Sequence, residues 1–293
     1  MINNTPSRTA ESAAAGRAAH FLYESPVIFE DPYALSLTSP LWRMIIRNRI
    51  LSRLIFTKQS GFLRSVGAQV LARSRYAEDL LLNAVKNGAT QYVMIGAGLD
   101  SFALRREDLS HCLTVYELDH PVTQGAKRER LRNLGYELPE NVEFIPIDCE
   151  RESVEDVLAA SSFSPNDRTF FSCLGTTYYL TRDAVLKTLR SIGTYTVLGS
   201  EIVFDYGLPE RLLDRTNRII WRTIERAGHH CGEPILSYFA PDELEQTLFD
   251  MGFDLREHLS PGDQKRRYFS THDPTPLASY FAHAHITQQE VYS

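Results

Sequence analysis

Cysteine is scarce and unpatterned. The 293 residues hold four, Cys112, Cys149, Cys173 and Cys231, with no C-x-x-C spacing. That argues against a disulfide scaffold or a thiolate zinc site and for reduced thiols in a cytoplasmic protein. Long apolar runs are also missing: none approaches the roughly 20 residues that cross a bilayer. The opening MINNTPSRTAESAAAGRAAH is polar and alanine-rich, so no secretory leader is expected. No glycine loop ends in Lys-Ser/Thr, which excludes a phosphate-gripping P-loop. No G-x-S-x-G elbow or Cys/His arrangement offers a nucleophile. His229-His230-Cys231 has no second ligand pair at zinc spacing, so no metal is expected.

Acidic residues are absent from Tyr33 to Ala77, where eight cations stand: Arg43, Arg47, Arg49, Arg53, Lys58, Arg64, Arg73 and Arg75. The net charge is −6, so the remainder carries −6 − 8 = −14. A basic segment on an acidic body does not make a nucleic-acid domain, because the whole would still repel a polyanion. It suits a lid helix with a solvated arginine face, a surface that guides an anionic substrate, or a membrane-surface helix.

What is present is alternation. An alanine-rich helix is expected over Thr9–Glu24, a break at Phe29–Ala34, and one helix from Pro40 through LWRMIIRNRILSRLIFTK with its arginines on one arc. A long helix follows from Phe62 to Lys86, capped at Asn87-Gly88. Strands are then expected at Tyr92–Ile95, Leu113–Leu118, Val142–Ile147, Thr169–Cys173 and Glu201–Asp205, with helices between them. Ser153 and Asp156 resemble a capping box. Two further strands, Asp254–Leu259 and Arg267–Thr271, would close the sheet as a hairpin, leaving an exposed tail from Asp273 with His283-x-His285 solvated. Five βα units and a final hairpin make an α/β doubly wound, mostly parallel sheet. The division expected is a helical lid and N-terminal extension over residues 1–88 and an α/β core over residues 89–293.

The chemistry concentrates at strand ends. QYVMIGAGLD, Gln91–Asp100, reads as a buried strand entering a tight turn, Gly96-Ala97-Gly98. Such a turn brings backbone close to a nucleotide-like ligand. A G-x-G-x-x-G fingerprint would need glycine at Ser101, so the dinucleotide pattern is broken. Glu117 and Asp119 follow about 20 residues on, where an acid meets ribose hydroxyls. Asp148 ends the third strand, a position that suits an adenine amino group. These ends favour S-adenosylmethionine, which has no phosphates, over NAD.

Several blocks in fixed order carry a family resemblance. They are SRTAESAAAGRA, the run Arg73–Arg106 containing GAGLDS, YELDHPVTQGAK, FFSCLGTTYYLTRDAV, EIVFDY, and FAPDELEQTLFDMGF followed by RRYF. Together they resemble the leucine carboxyl methyltransferase family, in particular its bacterial O-methyltransferase branch, over roughly Arg8 to Phe269. The resemblance implies the class I methyltransferase fold, a seven-stranded Rossmann-like sheet of order 3-2-1-4-5-7-6 with a helical lid, and S-adenosyl-L-methionine as cofactor. It implies that Arg73 grips the methionine carboxylate and that Gly96, Ala97 and Gly98 line the methionine end. Glu117 or Asp119 would then meet the ribose, Asp148 and Cys149 would bracket the adenine, and Leu174 would lie beside the cofactor. Tyr179 would border the methyl-transfer site as the catalytic residue. Leu174 stands where the branch that methylates a phosphatase C-terminus has Glu, which removes the ground for a phosphatase substrate.

The expected reaction is methyl esterification of a carboxylate on a small molecule or peptide. A carboxylate is ionised at neutral pH, its pKa being about 4, and needs no general base. A hydroxyl acceptor would, and His120, His229 or His230 would then be candidates. A non-catalytic cofactor-binding homologue and an NAD-dependent oxidoreductase are the other classes the residues allow. No nucleic-acid or membrane partner is expected.

Overall fold

The computed structural model describes residues 5–58, 61–270, 276–277 and 279–287. Seven strands form one sheet: β1 (Gln91–Ile95), β2 (Thr114–Asp119), β3 (Val142–Pro146), β4 (Thr169–Cys173), β5 (Glu201–Gly207), β6 (Phe253–Leu259) and β7 (Ser279–Ile286), in the order 3-2-1-4-5-7-6. The first five are parallel, and β7 runs antiparallel between β5 and β6. This is the class I methyltransferase order. β1 and β4 are buried along their whole length, which is why they read as unbroken apolar runs rather than alternating ones.

Helices cover both faces. On one, α5 (Gly61–Lys86) lays Ala72, Tyr76, Leu81 and Ala84 against Tyr92, Phe170 and Phe281. α5 therefore shares the sheet's own core, although it precedes the first strand. On the other face α8 (Val154–Ala159), α9 (Arg182–Tyr195), α10 (Arg215–Cys231) and α11 (Pro241–Asp250) enclose the larger core around Phe171, Phe204 and Tyr206. α6 (Phe102–Arg105) and α7 (Pro121–Asn133) follow β1 and β2. The lid is α1 (Arg8–Tyr23), α2 (Ala34–Leu37), α3 (Pro40–Arg47) and α4 (Arg49–Arg53), packed around Ala15, Ala18, Ala19 and Ile46.

Four expectations need correction. The segment from Pro40 is not one helix. Asn48 leaves the helix, and its side chain caps α4 through the amides of Ile50 and Leu51; a π turn then covers Leu54–Lys58. Leu41, Met44, Ile50, Leu51 and Leu54 are exposed there, whereas Ile46 is buried against α1. Ser153 makes no cap bond, and its hydroxyl meets that of Ser191 at 3.0 Å. The strand expected at Arg267–Thr271 is absent. Pro261–Tyr268 forms helix α12, started by a Ser260/Asp263 capping box and ended by three cations, and Thr271 lies outside the described residues. The closing strand is β7, which falls in what reads as an exposed tail; residues 273–275 lie outside the described residues. His283 is accordingly buried rather than solvated. Among the described residues, no helix is long and apolar enough to cross a membrane.

Phe281 is fully buried in β7 and stacks on Tyr76 at 5.6 Å. Phe281→Ala should cost about 3–5 kcal/mol, read as a lowered midpoint in urea denaturation. An unchanged midpoint would return this segment to the surface.

Candidate active site

A cavity of about 500 Å³ opens at the C-terminal ends of β1, β2 and β4, the edge where open parallel sheets bind ligands. Its floor is the glycine turn. The amides of Gly96 and Ala97 donate to the Leu118 carbonyl at 2.8 and 3.1 Å. Gly96 has φ +76°, and a Cβ there would stand 2.0 Å from the Thr176 hydroxyl. No other residue fits, because Thr176 already occupies the space a side chain would need.

The two acids of β2 separate cleanly. Asp119 lies on the cavity wall and accepts the amides of Gly98 and His120. Burial pushes its carboxyl above the usual range, against the pull of those amides. Glu117 is also buried but lies off the wall, paired with buried Lys127 of α7. Burial raises its carboxyl too, and Lys127 opposes that rise. Asp148 and Cys149 line the cavity beyond β3. The Cys149 thiol is pushed up to about 12 by burial and then by Asp119 and Asp148, so it is a protonated wall rather than a nucleophile.

Arg73 enters from α5. Its Nη1 donates to Asp205 at 3.1 Å. Burial works against its charge, yet Asp205, Tyr178 and Tyr179 together hold its pKa above the usual value. Among the described residues no partner takes its Nε or Nη2. Gly175, with φ +66°, leaves the gap through which the guanidinium passes, since a Cβ there would lie 2.4 Å from Nη2. Asp205 also accepts from Gln69 at 2.8 Å, Tyr178 at 2.9 Å and the Gly175 amide at 2.6 Å. Sequence reasoning passed over Asp205, whose one signal was a carboxylate ending the apolar run EIVF.

The lid completes the site. Ser101, where a third glycine would stand, donates its hydroxyl to Asp31 at 2.6 Å. Asp31 takes Arg17 at 2.8 Å, and Arg17 also reaches the Leu99 carbonyl at 2.7 Å. The amide of Thr9 donates to Glu233 at 3.0 Å, tying α1 to the segment after α10. Ala10, Leu174, Tyr179, Trp221, Ile224 and Glu233 line the remainder. Thr9 and Glu233 also went unread, because they meet only across 224 residues.

The leucine carboxyl methyltransferase family model matches residues 10–193. The chain belongs to the leucine carboxyl methyltransferase family. It is 35% identical over 292 residues to YktD of Bacillus subtilis (strain 168), covering 92% of this chain and 93% of that protein, which bears the name of an S-adenosyl-L-methionine-dependent methyltransferase. A similarly named Mycobacterium marinum protein is 29% identical over 73% of this chain and 70% of its own length. By structure, a Thermobifida fusca protein named as a methyltransferase aligns with TM-score 0.60, 13% identity and coverage of 97% and 96% of the two chains. A DUF574 family protein of Streptomyces avermitilis aligns with TM-score 0.59, 11% identity and coverage of 92% and 96%. At such identity these two structures speak for the fold.

The cavity fits the family's cofactor, S-adenosylmethionine. Gly96 and Gly98 bring bare backbone to the cavity wall, and Arg73 keeps N–H groups free for a carboxylate. A carboxylate has about four acceptor sites, and protein amides fill two on Asp119. Nine of the ten residues expected at the site line this one cavity; Glu117 does not.

Asp119→Ala should weaken S-adenosylhomocysteine binding roughly 10- to 100-fold, the loss of about 1.5–3 kcal/mol of charged hydrogen bonding, measured by calorimetry. Glu117→Gln should leave that affinity within about threefold, an effect below 1 kcal/mol. Because the ionised Asp119 carboxylate accepts more strongly than the protonated acid and its pKa is raised, affinity should weaken as the pH is lowered, beginning above the ordinary carboxylate figure of about 4. Asp119→Asn should abolish that weakening. Asp205→Ala strands the Arg73 charge and should destabilise the fold by about 3–5 kcal/mol, read by urea denaturation.

Proposed function

We propose that this methyltransferase esterifies a carboxylate on an acceptor with an apolar body, a small molecule or a peptide. The observation that carries the reading is Tyr179. Its phenol lines the cavity, and burial followed by the nearby Glu233 charge pushes it up to about 12. It stays protonated at neutral pH, so it can donate a hydrogen bond and hold an acceptor oxygen. It cannot serve as a base.

Bound S-adenosylmethionine supplies a methyl group on a positively charged sulfur. The chain's residues have to align the acceptor and keep water out. Arg73 holds the cofactor's methionine carboxylate and Asp119 its ribose, with Asp148 and Cys149 at the adenine. Trp221, Ile224, Ile235 and Leu236 make an apolar wall for the acceptor's body. Positioning of this kind is worth roughly 7–11 kcal/mol, and a carboxylate gives up no proton. The four free cysteines suit a cytoplasmic setting.

One feature favours a second reading, a hydroxyl acceptor. Glu233 and His120 both face the cavity and could take the hydroxyl proton. Product chemistry separates the two. With a methyl-labelled donor and a panel of apolar carboxylic acids and phenols, the carboxylate reading expects label on an acid that mild alkali releases. Alkali-stable label confined to the phenols would overturn it. Tyr179→Phe should lower kcat roughly 10- to 100-fold, about 1.4–2.7 kcal/mol, with S-adenosylhomocysteine affinity unchanged.

A further inference from the structure

Glu201, His283 and His285 bring one carboxylate oxygen and two imidazole nitrogens within 4.8 Å of one another. The sheet register assembles them. Glu201 and His285 are direct cross-strand partners on β5 and β7, and His283 lies two residues along β7 on the same face. Nε2 of His283 is 2.8 Å and Nε2 of His285 is 3.3 Å from the same Glu201 oxygen. The two rings lie 5.0 Å apart. Both strands are interior to the sheet, so the backbone that carries the three groups is fixed on each side.

The two acids that face the histidines from β6 are already engaged. Glu257, opposite His283 on β6, is bound by Arg267 at 3.1 Å, and Asp254, opposite His285, by Arg256 at 3.1 Å. The three groups therefore converge on one another with no further acid competing for them.

We propose that these residues bind one divalent first-row transition cation, with Zn²⁺ preferred, and so tie β7 to β5. Two imidazoles and one carboxylate are a known zinc donor set with one open position. Ligands at about 2.0–2.1 Å in a tetrahedron stand roughly 3.3 Å apart, close to the two separations from Glu201. Small side-chain rotations bring the third pair in. The His285 side chain is 29% exposed, which gives the cation a route from solvent and a water its fourth position.

The site is separate from methyl transfer. Glu201 begins β5 and Asp205 stands four residues on, about 13 Å away, and none of the three ligands lines the cavity. The cation therefore acts on stability, since a ligand held only by the folded chain shifts unfolding in its favour.

The experiment uses the full chain, stripped with EDTA and dialysed. CoCl₂ titration should develop visible ligand-field bands that saturate at one equivalent, and one equivalent of ZnCl₂ should quench them. ZnCl₂ should raise Tm by several degrees. His285→Gln and Glu201→Gln should lose the bands and weaken Co²⁺ binding at least 30-fold. His230→Ala, which alters the other histidine pair, should keep both. His285→Gln removes the most exposed ligand, so its Tm without metal should stay near that of the parent. A parent protein that shows only the aquo-ion spectrum, or variants that keep the bands, would overturn the proposal. If a variant does not fold, the parent titration still decides whether the site exists.

Discussion

Asp205 is the acceptor on which the cavity's architecture turns. It is fully buried, and four donors from three separate segments converge on its two oxygens: Gln69 and Arg73 of α5, the Gly175 amide after β4, and the Tyr178 phenol in the turn beyond. Its backbone carbonyl also takes the Thr177 hydroxyl. A buried carboxylate is costly unless its acceptor sites are filled, and here they are. That fixes the distance between α5 and the end of β4. Arg73 is thereby held with one face on Asp205 and the other toward the cavity. Tyr179 follows Tyr178 directly, so the same bonds determine where its phenol stands on the cavity wall.

The lid is joined to this framework through a residue that looks like a defect. Ser101 interrupts what would have been a dinucleotide fingerprint. A glycine there would let the following helix pack close against the strand. The serine hydroxyl instead holds Asp31, and through it Arg17 of α1. The same position thus fastens the helix that brings Ala10 against the glycine turn. The backbone between β1 and α6 is therefore tied directly to α1.

Much of this was legible, for a physical reason. Strands of a parallel sheet are buried on both faces, so an acid at the end of an apolar run stands out, as Asp119 and Asp148 do. What stayed unread depends on partners far along the chain. Glu117 and Asp119 share a face of β2, and only Lys127, arriving from α7, takes Glu117 out of the site. Asp205 reads as an ordinary strand end until α5 is folded against it. FAHAHI reads as solvated because its histidines are polar, yet they answer to Glu201, 82 residues earlier. The break at Asn48 was missed because the amphipathic period continues through it, and the side chain that begins α4 is short and polar.

The placement of β7 bears on how the molecule is assembled. β5 and β6 have no bonds to each other; each pairs with β7, the last strand in chain order. Until residues 279–286 insert, β5 carries an open edge and β6 has no sheet to join. Edge strands left unpaired invite association with other chains, and pairings of high sequence separation form slowly. On a ribosome the glycine turn, Arg73 and Asp205 would all have emerged while that edge was still bare. Most of the cavity's lining can therefore be present in sequence before the sheet that supports it is closed, and in that interval the bare edge of β5 is open to association with other chains.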